Sequence, residues 1–313
     1  MPEFSRRTAL ATLAAAAVTQ CAMPVMAQSR IKIRIGSALA EAFAEPYFGL
    51  DAGIFSQAGF DVEIQTFPHV QDAINACVGG ALDIGMADVV QLASAVNRGV
   101  PVGFFAGGGL YSSARPTNAL CVAKKGPITE PRDFVGKAIG VPGVGSLGEI
   151  TTREWLRRNE VDPNSVNFVE LPISAQVPAL LRGTTSGCSL GEPFLTSYRD
   201  DIRVITAPYS VVADQFYIGA WFTTKDWFAK NTEIIKRFTH AVYETARWSN
   251  GNHESTAQTL AKYIKTKVEI FREMRRTSWA TNLDQRNLQS VLSIASNYRV
   301  LATPMSASEM VLR

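Results

Sequence analysis

Apolar and charged positions alternate along Ile31-Lys32-Ile33-Arg34-Ile35-Gly36 and again along Phe60-Asp61-Val62-Glu63-Ile64-Gln65. A period of two marks a half-buried strand, so both segments are predicted as strands. Between them, residues 44–52 carry apolar positions at helical spacing, and Gly53 suits the end of that helix. The alternation of element types continues with a helix over 71–78 closed by Gly79-Gly80, a strand at 82–86, a helix at 89–97 and a strand at 102–106. Short connections in a β-α-β-α order imply parallel pairing with helices on both faces of the sheet. In such sheets ligands bind beyond the carboxyl ends of the strands, where the topology switches.

A stretch rich in Gly, Ser and Pro follows, from Gly107-Gly108-Gly109 to Thr117. Beyond it a second set begins, with strands at 119–123, 138–141, 166–170 and 203–206 and a helix at 147–158. Residues 217–222 read as a return strand, and helices are expected over 226–248, 253–264 and 282–297. The expected fold class is therefore α/β in two lobes. Lobe two, residues 115–213, is inserted into a discontinuous lobe one made of 28–114 and 214–313.

Ahead of this pattern, Ser5-Arg6-Arg7 precedes an apolar run from Ala9 to Val18, and Val25-Met26-Ala27 offers small residues for cleavage. Residues 1–27 thus read as a secretory signal peptide of twin-arginine-like type, cut after Ala27. Cys21 is not read as a lipid-attachment site, because bulky Gln20 precedes it. No second apolar stretch is long enough to cross a bilayer, so the mature chain is expected in the periplasm. The 313 residues are 46% hydrophobic and 19% charged, an ordinary globular balance for about two domains. Lys+Arg 31 against Asp+Glu 28 leaves +3, which is no footprint for nucleic acid. Cys77, Cys121 and Cys188 lack a metal-ligand spacing and read as buried small apolar residues, with a disulfide among them left open. His69, His240 and His253 are scattered, so no metal site and no Ser-His-Asp set is expected, and each is read as structural.

One motif admits two chemistries. Gly143-Val144-Gly145-Ser146-Leu147-Gly148 fits G-x-G-x-x-G between a strand and a helix, and Glu170 ends the next strand. That is the setting of a dinucleotide site, and it supports the alternative reading of an exported, nucleotide-cofactor-dependent oxidoreductase. Ser146 and Glu149 also form S-x-x-E, a capping box for the helix at 147–158. Free N–H groups at such a helix start attract an anion whatever the ligand, which makes Gly145, Ser146 and Leu147 ligand-binding candidates.

The segment Glu45-Pro46-Tyr47-Phe48-Gly49-Leu50-Asp51-Ala52-Gly53-Ile54-Phe55, followed by Gly59-Phe60-Asp61-Val62-Glu63, resembles the opening of a solute-binding family. So do Gly80-Ala81-Leu82-Asp83-Ile84-Gly85, Asp133-Phe134-Val135-Gly136-Lys137-Ala138-Ile139-Gly140-Val141, and Ala179-Leu180-Leu181-Arg182-Gly183 leading to Gly191-Glu192-Pro193. This family serves ABC importers and includes binders of nitrate, taurine, alkanesulfonates and thiamine-pyrimidine precursors. Ser186-Gly187-Cys188-Ser189 departs from it, where many relatives place an acidic residue in a helix-to-strand turn. The resemblance implies the two-lobed periplasmic binding fold of type II, with ligand in the cleft and two hinge crossings near Ser112 to Pro116 and Val211 to Tyr217. The cysteine-rich iron motif of the family's pyrimidine-synthase-like enzymes is absent.

Further ligand-binding candidates follow. Phe43 lies after the first strand and Asp88 after the third, where it could equally cap the next helix. Gly108 stands in the glycine run, Glu192 follows an inner-lobe strand, and Asp214 and Tyr217 border the return crossing. An ionised Glu in a cleft prefers a donor on the ligand and repels an anion. The expectation is an extracytoplasmic protein without catalytic residues or cofactor. It would be a monomer that captures a small organic molecule, organic-acid, sulfonate-like or pyrimidine-like, for an ABC permease complex in the inner membrane.

Overall fold

The computed structural model describes residues 30–313. The expected signal peptide and Cys21 lie outside the described residues. In chain order the strands are β1 (Ile31–Ser37), β2 (Phe60–Thr66), β3 (Ile84–Asp88), β4 (Val102–Gly107), β5 (Gly109–Ser112), β6 (Asn118–Ala123) and β7 (Ala138–Val141). They continue as β8 (Asn167–Glu170), β9 (Gly187–Gly191), β10 (Ile202–Thr206), β11 (Gln215–Tyr217), β12 (Gly219–Thr224) and β13 (Ser278–Trp279).

Two five-stranded sheets form the two lobes, in the orders β2-β1-β3-β12-β4 and β10-β6-β9-β7-β8. The alternating strand predicted at 31–36 pairs in parallel with the one at 60–65, Ile33 beside Val62 and Ile35 beside Ile64. The pairing is not parallel throughout. In the first sheet β12 runs antiparallel to β3 and β4, and in the second β6 runs antiparallel to β9 and β10. Short βα connections predict only the strands they join, and β6 and β12 each follow a segment that crosses between the lobes.

Those crossings make a third sheet, β11-β5-β13. The outgoing β5 and returning β11 pair antiparallel, Phe216 opposite Tyr111, and Ser113 N–H donates to the Asp214 carbonyl at 2.9 Å. The return strand expected at 217–222 is consequently split at Ile218. Its N–H bonds the Gly109 carbonyl (2.9 Å), and its own carbonyl accepts from Val89 N–H (3.3 Å), so the chain changes sheets there. The helix expected over 226–248 is likewise two, Lys225–Lys230 and Thr232–Gly251, divided at Asn231, whose side chain bonds the Trp227 carbonyl at 2.9 Å.

The lobe-one core centres on Trp221 of β12, fully buried, edge-on to Phe55 and Phe238 with centroids 6.5 and 5.6 Å away. Its indole N–H donates to Glu45 Oε2 at 2.6 Å. Burial raises the Glu45 pKa well above its ordinary value, and Oε1 has no partner. Lobe two has smaller cores on either face of its sheet, one around Leu120, Phe134 and Ile139 and one around Cys121, Val177 and Cys188. Cys77, Cys121 and Cys188 are buried, and no disulfide joins them among the described residues.

Candidate functional site

The carboxyl ends of β1 and β3 in lobe one face those of β7 and β9 in lobe two, and a cavity lies between them. The antiparallel strands bring their amino ends to the same place, which adds Thr117-Asn118 ahead of and at the start of β6, and Ile218 ahead of β12. The cavity volume is about 70 Å3, room for on the order of five water-sized groups. A small organic molecule suits that space.

Three carboxylates line the cavity, and the chain binds each differently. Asp88 ends β3 and caps the helix Val89–Asn97, with Oδ1 accepting from the N–H groups of Val90 (2.8 Å) and Gln91 (3.2 Å). Its Oδ2 reaches across to lobe two and accepts from Leu147 N–H at 3.2 Å. Burial pushes its pKa up to about 6 in spite of these donors, since three neutral N–H groups do not replace lost hydration. Glu192, just past β9, accepts from Thr196 N–H and Thr196 Oγ1, both at 3.0 Å. Burial, with the nearby Glu41 charge adding to it, pushes Glu192 up to about 7. Glu41 follows β1 and is paired, with Oε1 2.6 Å from Arg276 Nε and Oε2 accepting from Thr277 N–H and Oγ1 at 3.0 Å each. Its backbone N–H bonds the Glu192 carbonyl at 3.3 Å, tying the lobes together beside the cavity.

Most backbone donors of the glycine-rich turn are already taken by protein groups. Val144 N–H donates to Glu170 Oε2 (3.0 Å), Gly145 N–H to Glu149 Oε2 (2.7 Å) and Glu149 N–H to Ser146 Oγ (3.4 Å). With Leu147 N–H on Asp88, four donors that would cradle a phosphate already face the chain's own oxygens, three of them from carboxylates. Glu170, placed by the sequence at the ribose position, instead bonds the turn itself. This disposes of the nucleotide alternative on physical grounds.

Of the residues singled out in the sequence, the structure brings Phe43, Asp88, Ser146 and Glu192 together in the cavity wall. It places five elsewhere. Gly108 lies between β4 and β5, where a Cβ would come within 2.7 Å of the Gly219 carbonyl oxygen, so it serves close strand approach. Gly145 has φ +71° and turns toward Val300 on the far side of the loop. The Leu147 side chain is buried in the core, and only its N–H reaches Asp88. Asp214 sits at the crossing, accepting from Ser113 Oγ at 2.6 Å. Tyr217 is fully buried, its hydroxyl donating to the Asn282 carbonyl (3.0 Å) and accepting from Asp284 N–H (2.8 Å).

Sequence reasoning passed over Glu41, Gln91, Thr117, Asn118, Ser189 and Thr277. Gln91 could have been found as the second residue after Val89 in a capped helix. Thr277 carries no such signal. His69, expected to be structural, stands at the lip of the cleft, with Nδ1 3.4 Å from both the Pro142 carbonyl and Glu170 Oε1 of the opposite lobe.

Known proteins share this architecture. The alkanesulfonate-binding protein of Xanthomonas axonopodis pv. citri, solved bound to MOPS, superposes with a TM-score of 0.77 at 13% identity, covering 91% of this chain and 99% of that one. The periplasmic nitrate-binding protein of Synechocystis PCC 6803 gives 0.72 at 14% identity, over 90% and 84% of the two chains. At these identities the likeness is one of fold, the two-lobed periplasmic binding fold. In sequence, the taurine-binding periplasmic protein of Escherichia coli (strain K12) is 28% identical over 185 residues, which are 58% of this chain and 55% of that protein's length. Residues 41–254, which run from the cavity's Glu41 through both crossings and all of the second sheet, match one family throughout: the chain belongs to the NMT1/THI5-like family.

Proposed function

We propose that the protein is an extracytoplasmic solute-binding protein, which closes its two lobes on a small organic molecule and delivers it to the permease of an ABC importer. The carrying observation is the cavity itself, shared between lobe-one residues such as Phe43, Asp88 and Gln91 and lobe-two residues such as Asn118, Ser146 and Glu192. A few convergent polar groups on an otherwise apolar wall are what binding requires. Only a closed arrangement lets one small molecule touch both sets.

Contacts at the cleft edge support the same motion. Asp88 to Leu147, Gln71 Nε2 to Glu170 Oε1 (3.4 Å) and Tyr298 hydroxyl to Glu154 Oε2 (2.7 Å) each join the lobes and would part on opening. The crossing pair β5 and β11, held by ladder hydrogen bonds, is the place for the hinge. Residues 1–27 are the export signal in this reading, and the mature chain acts as a monomer in the periplasm, without catalysis.

Purification of the mature chain under gentle conditions, followed by native mass spectrometry, tests the reading. It predicts one small organic molecule per chain, lost on denaturation and replaceable on refolding. A nicotinamide absorbance that survives gel filtration, with reductase activity, would contradict it.

A further inference from the structure

A second pocket, of about 200 Å3, lies outside the interlobe cavity, where the outgoing crossing meets β13 and the helices Thr232–Gly251 and His253–Ile264. None of its seven lining residues is acidic, and two are arginines. Arg115, between β5 and β6, makes no side-chain ion pair or hydrogen bond among the described residues. Arg276 uses three donor contacts, to Glu41 Oε1 (2.6 Å), the His253 carbonyl (3.3 Å) and Thr256 Oγ1 (2.9 Å), and its guanidinium has further N–H groups to offer. Ser249, in the last turn of Thr232–Gly251, is 4% exposed, and its hydroxyl has no partner. The helix His253–Ile264 opens at the same pocket through His253, and no side chain caps it. Asn252, in the cap position, gives its amide to the Trp248 carbonyl at 2.8 Å instead. Glu254, in the first turn of that helix, is held by Arg272 and Gln258. Asn250 is engaged with both backbone groups of Trp279, at 2.8 Å each, which ties the end of the preceding helix to β13.

A guanidinium without a counter-ion, an uncapped helix start and a buried hydroxyl without a partner therefore converge on one pocket. A single group that carries negative charge and only accepts hydrogen bonds would satisfy all three. We propose that this pocket is a second ligand site, separate from the interlobe cavity, and that it takes a small oxyanion of the phosphate or sulfate class. Arg115 and the remaining donors of Arg276 supply charge-assisted hydrogen bonds, and the Ser249 hydroxyl and the opening N–H groups of His253–Ile264 supply neutral ones. The donors come from four separate segments of the chain, so a tetrahedral anion, with acceptors in every direction, suits them better than a planar carboxylate. The site backs onto the interlobe cavity: Thr277 lines both, and Arg276 holds Glu41 at the cavity wall.

Calorimetric titration with inorganic phosphate, sulfate and acetate, at low salt in a buffer free of oxyanions, tests the proposal. Phosphate or sulfate is expected to bind the parent protein about tenfold tighter than acetate. Arg115→Gln should weaken that binding by about tenfold, since it removes the charge-assisted contacts. Ser249→Ala deletes a hydroxyl that bonds nothing in the chain, so it should fold like the parent and weaken the anion by about threefold or more. Arg182→Gln takes the same charge from an exposed position at the end of the helix Ile173–Leu181, and should leave the affinity within about twofold. Thermal unfolding checks the fold of each variant, and Ser249→Ala decides should Arg115→Gln fail to fold. The proposal is overturned if neither phosphate nor sulfate binds the parent protein, or if acetate binds as tightly. It is equally overturned if Arg115→Gln or Ser249→Ala binds the anion like the parent, or if Arg182→Gln loses as much as Arg115→Gln. The solute-binding reading stands under each of these results, because it rests on the other cavity.

Discussion

Trp221→Ala is expected to lower the unfolding free energy of lobe one by about 3–5 kcal/mol, the usual cost of truncating a buried aromatic side chain. Two causes add. The indole fills the space between the first sheet and the helix Thr232–Gly251, edge-on to Phe55 and Phe238. It is also the hydrogen-bond donor to Glu45, whose other oxygen is already unpartnered, so the truncation leaves a buried carboxyl without any partner. Trp221→Phe separates the two, because it retains most of the volume and loses only the donor, at about 1–3 kcal/mol. Urea unfolding should show the loss in a lobe-one transition, with the smaller lobe-two cores unaffected. A Trp221→Ala variant within 1 kcal/mol of the parent protein would contradict this account of the core.

Acidity should act on the cleft with a definite sign. Asp88 is raised from its ordinary 3.8 to about 6 and Glu192 from 4.5 to about 7, both by burial. Between those limits the folded chain keeps protons that the unfolded chain has released. Stability therefore falls as pH rises from about 4 to 7, by on the order of 3 kcal/mol for each group, and levels off above. The opposite slope lies at lower pH, where Glu154 and Glu254 are held at about 2 by Arg157 and Arg272, and their stabilisation is lost on acidification. The stability of the ligand-free chain should peak near pH 4–5. In Asp88→Asn and Glu192→Gln the decline toward pH 7 should shrink by one group's worth each, because an amide does not titrate. Parallel pH profiles for parent and variants would show that these carboxylates are not buried as described.

The sheets were legible wherever short-range pattern decides structure. The alternating residues at 31–36 and 60–65 could bury one face only as strands, and Asp88 and Ser146 stand where a helix must find an acceptor for its first N–H groups. Pattern failed where a distant segment decides. Glu41 lines the cleft because Arg276 and Thr277, 235 and 236 residues away, hold its carboxylate, and nothing near Glu41 announces them. Tyr217 is a ligand candidate because it borders the return crossing; the change of sheets at Ile218 turns its ring into the core instead. The glycine-rich turn shows a subtler limit. Its N–H groups read as anion seekers, and carboxylates of the chain itself, Glu170, Glu149 and Asp88, accept from Val144, Gly145 and Leu147.

Capture of a solute between two closing lobes is the central claim, and solution scattering tests it most directly. The mature chain is measured alone and at saturation with the small molecule identified on native purification. Closure about the β5–β11 crossing predicts a smaller radius of gyration with ligand, and a profile that matches the arrangement in which Asp88 meets Leu147 and His69 meets Glu170. An unchanged profile, with binding established by calorimetry on the same sample, would contradict the claim.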